Sequence, residues 1–414
     1  MYSTHWVVNL HSTESYDDSG PVGTDPRSER FQAFHDYLLQ SFPLVHGHAI
    51  LELVKVNTCG LIFVWKGSNS TLQPLLLAAH QGASYSAPSY ANVVPGDPTT
   101  IDQWTHPPFS GYFDGGSLDN KSGLIGVMSA VETMLENSYH PHRTIVLAFG
   151  FNEEIGGVQG AQTLAVTLEE MFGGNGYAML VDEGSSYEEQ FVCLLLLQEP
   201  RKTIWMSALR SQHRVDTLAC HLPTRNVHCL AAHIPKLPEQ LRKDILDSIF
   251  SDEALRAAEE QLFMDPTFRH ISNTTQAIDM IHGGVKTNAL PEQAWAIINH
   301  RILAGSTDAS ATPTRGNLTV SQAFGFKGSE PPPITPTEDA LPYQILSGTI
   351  DATYNSHKGN KGNDTIIIRP VVLAGMTDTK SYSSLTPHIF RYRHNEKPKG
   401  VEYSTLTHSV NVTM

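Results

Sequence analysis

Two adjacent carboxylates, Glu153 and Glu154, are the residues in this chain whose types and spacing point first to chemistry. An apolar, β-branched run over residues 144–149 leads directly into the pair, and two glycines follow it. A buried strand that ends at a site has this pattern. Adjacent acidic residues in a loop are more often solvated surface, so the pair alone is a weak signal.

Other apolar runs also end on residues that can bind a metal. PLLLAAH ends at His80, GYAMLVDE reaches Asp182, and SLDNKSG places Asp119 just before a helical pattern. Alone, His80 fits a hydrogen-bonded core histidine and Asp119 fits a helix cap. With the glutamate pair they bring four carboxylates together, which would repel one another unless they were protonated or bridged by cations. The set therefore favours a metal centre.

The elements that must position these residues alternate along the chain. Apolar runs predict strands at 50–54, 61–65, 75–79, 144–149 and 177–181, and helical spacing predicts helices at 121–136 and 161–172. This alternation predicts βαβ units and an α/β fold, with a mostly parallel sheet and helices on both faces. Ligands bind such sheets beyond the carboxyl ends of the strands, which is where the candidate residues fall.

Composition and charge exclude several classes of function. The chain has 28 lysine and arginine residues against 42 acidic ones, a formal charge of -14, and no basic cluster, so nucleic acid and anionic membranes are poor partners. No apolar run approaches the roughly 18 residues of a membrane span. The first residues lack the basic and apolar regions of a signal peptide, so we expect neither a signal nor an anchor within this sequence.

Cysteines and glycosylation sequons bear on the compartment. The four cysteines match no zinc-module spacing and indicate no disulfide framework. N-x-S/T sequons are more frequent than the roughly three expected by chance, which favours a glycoprotein of the secretory route. They begin at Asn69, Asn120, Asn273, Asn317, Asn363 and Asn411.

A series of motifs resembles one metallopeptidase family over most of the chain. In order they are PLLLAAHQ, NVVPGDPTTIDQWTHPPFSGYFDG, GSLDNKSGLIG, AFGFNEEIGG, MLVDEG, GGVKTNALPE, NHRI and TDTKSY. Together they resemble the vacuolar carboxypeptidase S (Gly-X carboxypeptidase) branch of the di-zinc aminoacylase and carboxypeptidase family. The resemblance implies a zinc exopeptidase of the vacuole lumen or secretory route. Its expected substrates are short peptides, which lose their C-terminal residues, or N-acyl amino acids.

The resemblance also implies a set of ligands for two zinc ions per chain. One ion would be held by His80 and Asp182, and the other by Glu154 and His408. Asp119 would bridge the two ions. The assignment of His408 rests on the resemblance alone, because a histidine in a terminal segment is more often solvated.

The resemblance assigns the role of general base to Glu153. Zinc lowers the pKa of its bound water to roughly 7, so a neighbouring carboxylate can take a proton from that water and pass it to the leaving amine. Adjacent residues of an extended segment point to opposite sides. We therefore expect Glu154 to face the metal while Glu153 faces the substrate.

The chain is predicted to contain two domains, one inserted into the other. The catalytic domain would comprise residues 1–198 and 331–414, and a smaller α+β lid and dimerisation domain would comprise residues 199–330. The inserted domain is predicted to be helical over 238–262 and to form two strands joined by a turn over 283–303. The resemblance implies a homodimer through this domain. It also implies that Asn288 and Arg301 lie near the substrate.

Two departures from the family pattern keep a second function open. Gly82 stands two residues after His80, where the family has an aspartate that orients the histidine. The lid motif GGHSS is absent from the sequence, and residues 201–233 match nothing recognisable in its place. The alternative is therefore a catalytically defective paralogue, or a chain with an incorrectly assembled reading frame, that keeps the fold and metal binding.

Overall fold

A six-stranded sheet organises the first of the two units into which the chain divides. The computed structural model describes residues 11–16, 18–84, 120–187, 193–196, 204–205, 231, 238–264, 269, 274–284, 293–301, 340–358, 367–370 and 377–396. The first unit comprises Met1–Gln198, Thr335–Arg369 and Thr377–Met414, and the second comprises Glu199–Ile334 and Pro370–Met376.

The described elements alternate between strands and helices over the first half of the chain. The strands are β1 (Glu14–Ser15), β2 (Leu51–Val56), β3 (Gly60–Trp65), β4 (Leu75–His80), β5 (Ala83–Ser84), β6 (Ile145–Gly150), β7 (Met179–Tyr187), β8 (Cys193–Leu196), β9 (Ile204–Trp205), β10 (Thr275–Gly283), β11 (Ala294–Arg301), β12 (Ile367–Pro370) and β13 (Ile389–Glu396). The helices are α1 (Arg30–Ser41), α2 (Pro43–Gly47), α3 (Lys121–Glu136), α4 (Ala161–Phe172), α5 (Glu239–Asp247), α6 (Asp252–Leu262) and α7 (Leu341–Lys358).

The large sheet has the strand order β13-β7-β4-β6-β3-β2. The four strands from β13 to β6 are parallel to one another, and β3 and β2 complete the sheet in antiparallel pairings. The predicted α/β fold with a mostly parallel sheet is therefore confirmed. Parallel register pairs His80 with Gly150, so that the carboxyl ends of β4 and β6 lie side by side.

Strand β7 is longer than the sequence predicts. Its pairing with β4 stops at Leu77↔Val181, where the apolar run ends, but the strand continues to Tyr187. The partner of this extension is β13, which places Arg391 opposite Asp182. The prediction that the strand stops at residue 181 is wrong, because pairing with a strand about 200 residues away extends it.

Apolar side chains cover both faces of the sheet, because successive residues of a strand point to opposite sides. In β3, Leu61, Phe63 and Trp65 pack with α1, α2 and α3 on one face. Ile62 and Val64 pack with α4 on the other. A strand buried on both faces has a continuous apolar sequence, which explains the uninterrupted GLIFVW of β3.

The second unit contains a helical pair and a three-stranded antiparallel sheet in the order β10-β11-β9. The predicted helix over 238–262 is interrupted. Helix α5 ends at Asp247, and Ser251 caps the start of α6 through a hydrogen bond from the Ala254 amide to its hydroxyl. Strand β11 pairs antiparallel with β10. Of the two strands predicted over 283–303, the second corresponds to β11, but the first is misplaced, because β10 already ends at Gly283. The function of this unit as a lid and dimerisation domain stays a prediction.

Within the described residues, no helix combines the length and the apolar character needed to cross a bilayer.

Helix α4 offers a test of the packing on the second face of the sheet. Leu164 is fully buried in the core cluster, whereas Val166 on the same helix is 60% exposed. We expect Leu164→Ala to lower the free energy of unfolding by about 2–5 kcal/mol, because it leaves a cavity in the core. Val166→Ala is the matched control and should change it by less than about 0.5 kcal/mol. Urea unfolding curves of the two variants check this prediction, and equal losses would contradict the placement of α4.

Candidate metal centre

Side chains of types that can bind a metal lie near the carboxyl end of β4 in the first unit. Three come directly from strands, and the other three come from short turns that the sheet positions. They are His80 at the end of β4, Glu153 and Glu154 in a 3₁₀ turn after β6, Asp182 and Glu183 in β7, and Asp378 in a 3₁₀ turn before β13.

The imidazole of His80 is buried and oriented by the backbone. Its Nδ1 lies 3.1 Å from the carbonyl oxygen of Gly82. A carbonyl only accepts hydrogen bonds, so Nδ1 carries the proton and Nε2 of the neutral ring presents a lone pair. That Nε2 lies 3.3 Å from Glu183 Oε1 and 3.9 Å from Glu153 Oε2. A lone pair facing two carboxylates is favourable only if a proton or a cation lies between them.

Gly82 has a structural role at the position where the family pattern has an aspartate. A Cβ at Gly82 would overlap the carbonyl oxygen of Phe151 and would lie 3.3 Å from Ser15 Oγ. An aspartate therefore does not fit here without a shift of the backbone. The Gly82 carbonyl takes over the acceptor role, because it receives the Nδ1 proton of His80. Metal-binding histidines commonly donate to such a carbonyl.

The glutamate pair lies in a 3₁₀ turn, Glu153–Ile155, which Gly156 ends in the left-handed conformation with a φ of 95°. The expectation that the two neighbours point to opposite sides is wrong in its premise, because the segment is helical and not extended. His80, Glu153 and Glu154 each place one ligand atom within 4.8 Å of the others. Both glutamates can therefore serve the same centre, and burial raises the pKa of Glu153 well above its usual value.

Asp182 is buried opposite an arginine. Burial raises the pKa of Asp182, and the nearby charge of Arg391 opposes this shift. The guanidinium of Arg391 is itself buried, and its Nε donates to the Glu183 carbonyl at 3.0 Å. Oδ2 of Asp182 is buried without a hydrogen-bond partner among the described residues.

Asp378 is a second buried carboxylate that the sequence argument did not single out. It sits against Gly150 and Gly157, where a Cβ on either glycine would overlap its oxygens. Neither oxygen has a hydrogen-bond partner in the part of the chain that the structure describes. Burial raises the pKa of Asp378 to about 7, and His80 would act in the opposite direction only in its protonated form.

These residues fit a divalent cation. Imidazole nitrogen and carboxylate oxygens are the donor types of protein zinc sites. Buried carboxylates with unpartnered oxygens are costly, and a cation removes that cost by bonding to them directly. Within the described residues, His80 turns Nε2 toward carboxylates, and Asp182 and Asp378 have buried oxygens without hydrogen-bond partners, so each of the three is compatible with a nearby cation.

Several predicted site residues are not tested by this geometry. Asp119, Asn288 and His408 lie outside the described residues, and Arg301 is described only as the last residue of β11. Their roles stay predictions. The structure brings His80 together with Glu153 and Glu154. Among the described residues Asp182 is not part of that group, although it directly precedes Glu183, whose Oε1 lies 3.3 Å from His80 Nε2.

The fold bears on the sequon at Asn120, which we expect to carry no glycan because it adjoins the candidate ligand Asp119. Asn120 is 1% exposed, so a glycan on it is incompatible with the folded chain. Asn69 lies nearer the surface, in the loop between β3 and β4. Its amide Oδ1 accepts from the Thr71 amide and hydroxyl, as a turn residue commonly does.

Sequence reasoning missed Glu183 and Asp378. Glu183 directly follows Asp182, so the acidic doublet itself was an available signal. Asp378 lies in the motif TDTKSY, which resembles the family without an obvious role for its acidic residue. Neither follows a complete apolar run, because β7 is still in progress at Glu183 and Asp378 lies in a turn.

Comparison with known sequences gives a consistent result over most of the chain. The profile of peptidase family M20/M25/M40 matches residues 92–397. Carboxypeptidase S of Saccharomyces cerevisiae is 30% identical over 429 residues, which cover 88% of this chain and 72% of that protein. An N-fatty-acyl-amino acid synthase/hydrolase of Bos taurus is 29% identical over 398 residues, which cover 87% of this chain and 74% of that protein.

Solved structures resemble the fold at low sequence identity. Human carnosine dipeptidase 1 aligns with a TM-score of 0.52 at 14% identity, over 94% of this chain and 87% of that one. The M20 family metallo-carboxypeptidase Sso-CP2 of Sulfolobus solfataricus aligns with a TM-score of 0.51 at 13% identity, over 94% of this chain and 90% of that one. These likenesses extend to the mixed α/β fold alone.

The buried carboxylates predict how stability depends on pH without metal. An ordinary aspartate has a pKa near 3.8 and folding raises that of Asp378 to about 7, so the folded state keeps a proton that the unfolded chain loses. The contribution of Asp378 therefore becomes less favourable as pH rises from about 4 to about 7. In the chelator-treated protein, we expect Asp378→Asn to reduce the fall in the free energy of unfolding over this pH range. At pH of about 8 the variant should be more stable than the parent by at least about 1 kcal/mol.

Thermal unfolding across this pH range checks the prediction. Asp36→Asn is the control, because Asp36 is an exposed carboxylate on α1. A decline that is as steep in Asp378→Asn as in the parent protein would contradict the assignment.

Proposed function

The chain belongs to peptidase family M20/M25/M40, and from this membership we propose that it is a zinc-dependent exopeptidase. It would release C-terminal residues from short peptides or hydrolyse N-acyl amino acids. Both substrate classes occur among its relatives, a carboxypeptidase and an N-fatty-acyl-amino acid synthase/hydrolase. The shared chemistry is hydrolysis of an amide bond close to a free carboxylate.

The geometry of His80 is the observation that carries the proposal. Its Nδ1 proton is committed to the Gly82 carbonyl, so its Nε2 lone pair faces the carboxylates of Glu153 and Glu183. Within a buried site this arrangement supports a cation-binding role. His80, Glu154 and Asp182 would hold the ions, with Asp119 and His408 completing a site for two zinc ions. When bound, zinc would polarise the scissile carbonyl and make water a better nucleophile.

Glu153 would move the proton. Burial raises its pKa, and the charges of Glu183, Glu154 and Asp378 act in the same direction, while His80 would oppose them only in its protonated form. A carboxylate with a raised proton affinity can take a proton from water and release it to the leaving amine at near-neutral pH. Because the turn places Glu153 beside His80, this transfer would occur at the metal centre itself.

The remaining parts of the proposal concern substrate, assembly and location. Asn288 and Arg301 would bind the substrate, and the second unit would act as a lid and form a homodimer. The sequence favours a glycoprotein of the vacuole lumen or the secretory route, and the yeast relative is a carboxypeptidase S. Nucleic acid is not an expected partner, because the chain carries a formal charge of -14.

A catalytically defective paralogue is the alternative, and the absent GGHSS motif favours it. Such a protein would keep the buried donor set and bind zinc without turnover. The two functions separate in one assay that measures zinc per chain together with hydrolysis of a Gly-Leu type dipeptide and of an N-acyl leucine. Zinc with turnover supports the enzyme, zinc without turnover supports the paralogue, and a zinc-free chain contradicts both.

The glutamate pair gives a test of the catalytic roles. Glu153→Gln keeps the shape of the side chain, so bound zinc should remain while turnover falls by roughly 10²- to 10⁴-fold. Glu154→Gln replaces an anionic ligand with a neutral one and should reduce both zinc content and turnover. Zinc content by elemental analysis and initial rates are the two measurements. Loss of zinc from the Glu153 variant alone would reverse the assignment.

The bridging role of Asp119 gives a second test. Because Asp119 would serve both ions, Asp119→Ala should lose both, whereas His408→Ala should mainly lose one. Elemental analysis of purified protein gives the number of zinc ions per chain. His140→Ala removes an exposed histidine after α3 and serves as control. Equal loss of zinc from the Asp119 and His408 variants would argue against the bridge.

A further inference from the structure

The segment comprising residues 11–16 and 18–22, here called the N-terminal strap, crosses the backbone of the segments that carry the metal-binding residues. Its strand β1 pairs in parallel with β5, which begins three residues after His80. The hydroxyl of Thr13 is fully buried and donates to the carbonyl of Gln81 at 2.6 Å. The strap therefore holds the residue directly after His80.

The strap also holds the turn that carries the glutamate pair. Ser15 Oγ donates to the carbonyl of Phe151 at 3.1 Å. The same hydroxyl lies against Gly82, whose carbonyl orients His80. Ser15 thus lies where the segment after β4 meets the segment after β6. Its partner Phe151 is two residues before Glu153.

Further contacts fix the two ends of the strap. The amide of Val22 donates to Gln159 Oε1 at 2.9 Å, and Gln159 Nε2 donates to the carbonyl of Gly20 at 3.1 Å. At the other end, the buried Lys121 Nζ donates to the carbonyl of His11 at 2.6 Å. Lys121 begins α3, so the strap reaches the helix start that follows Asp119.

Gln81 connects the strap to the sheet. Its backbone N–H donates to the carbonyl of Gly150 at 2.7 Å. Its side-chain Nε2 donates to the carbonyls of Cys59 and Phe149 at 2.8 and 2.9 Å. His35 Nε2 lies 2.8 Å from Gln81 Oε1. Gln81 therefore ties together the ends of three neighbouring strands, and the Thr13 hydroxyl satisfies its buried backbone carbonyl.

We propose that Thr13 and Ser15 are positioning residues, which set the geometry of the metal centre through the backbone carbonyls of Gln81, Gly82 and Phe151. The inference rests on the proposed function in one respect, because zinc is the probe of the geometry. Its physical basis is that His80 is oriented by a carbonyl and not by a carboxylate side chain. The position of that carbonyl depends on the backbone, and the strap holds the backbone on both sides of it.

The test removes single hydroxyls from the strap and measures zinc affinity by competition with a chromophoric chelator. Thr13→Val and Ser15→Ala should each weaken zinc binding by about 10-fold, the lower range for loss of a group that orients a ligand. Thr13→Ser keeps the hydroxyl and should restore parent affinity. The visible absorption bands of Co²⁺ bound in place of zinc should shift in Thr13→Val and Ser15→Ala, because they report ligand geometry and not overall stability.

Hydrogen exchange separates local loosening from unfolding. In the metal-free variants, peptides covering 79–84 and 149–157 should exchange faster than in the parent, while peptides covering α4 should not change. Thr24→Val is the matched control, because the Thr24 hydroxyl donates to the carbonyl of Pro21 and touches no ligand-bearing segment. Its zinc affinity and exchange should equal those of the parent. If Thr13→Val does not fold, Ser15→Ala and Thr13→Ser carry the comparison.

The outcomes distinguish this inference from the proposed function. A parent that binds zinc, with Thr13→Val and Ser15→Ala that bind it equally well and show unchanged exchange, overturns the positioning role and leaves the function intact. A parent that binds no zinc overturns the proposed function, and exchange alone then decides the role of the strap. In that case faster exchange in the two peptides supports the inference, and unchanged exchange overturns it.

Discussion

Like charges buried around His80 are the constraint on which the rest of this site depends. Burial raises the pKa of both Glu153 and Asp378. The nearby charges of Glu183 and Asp378 raise the pKa of Glu153 further. Carboxylates withdrawn from water repel one another unless a proton or a cation compensates them. A divalent cation would remove this cost, so burial favours the cation-binding role that we propose. The family membership of the chain agrees with this electrostatic argument.

The fold holds this centre together largely through backbone groups. Parallel register brings the ends of β4 and β6 side by side, and Gln81 ties both to β3. The partner of His80 is the carbonyl of Gly82, and Asp378 is accommodated because Gly150 and Gly157 have no side chains. A side chain at any of these glycines would occupy space that the ligand-bearing segments use. Glycine at these positions is therefore part of the site, although it supplies no ligand.

The replacement of the family's aspartate by Gly82 has a different meaning in the structure than in the sequence. By sequence it removes a group that orients the first ligand, which favours a defective protein. In the folded chain a carbonyl accepts the same Nδ1 proton, so the orientation of His80 survives. The departure therefore bears less on metal binding than the sequence suggests. The absence of GGHSS is a separate matter, because the orientation of His80 does not bear on it.

The sequence by itself determined five of the six strands of the large sheet, the bounds of α3 and α4, and the proximity of His80, Glu153 and Glu154. These features follow from the local periodicity of apolar residues and from the rule that parallel strands end at one edge. Only the tertiary structure decided that β7 continues along β13, that the glutamate pair forms a 3₁₀ turn, and that Glu183 and Asp378 join the site. It also decided which carbonyl orients His80. Every residue has a backbone carbonyl, so the residue types do not reveal which carbonyl orients a histidine. Pairing between strands about 200 residues apart depends on the whole fold and not on local sequence.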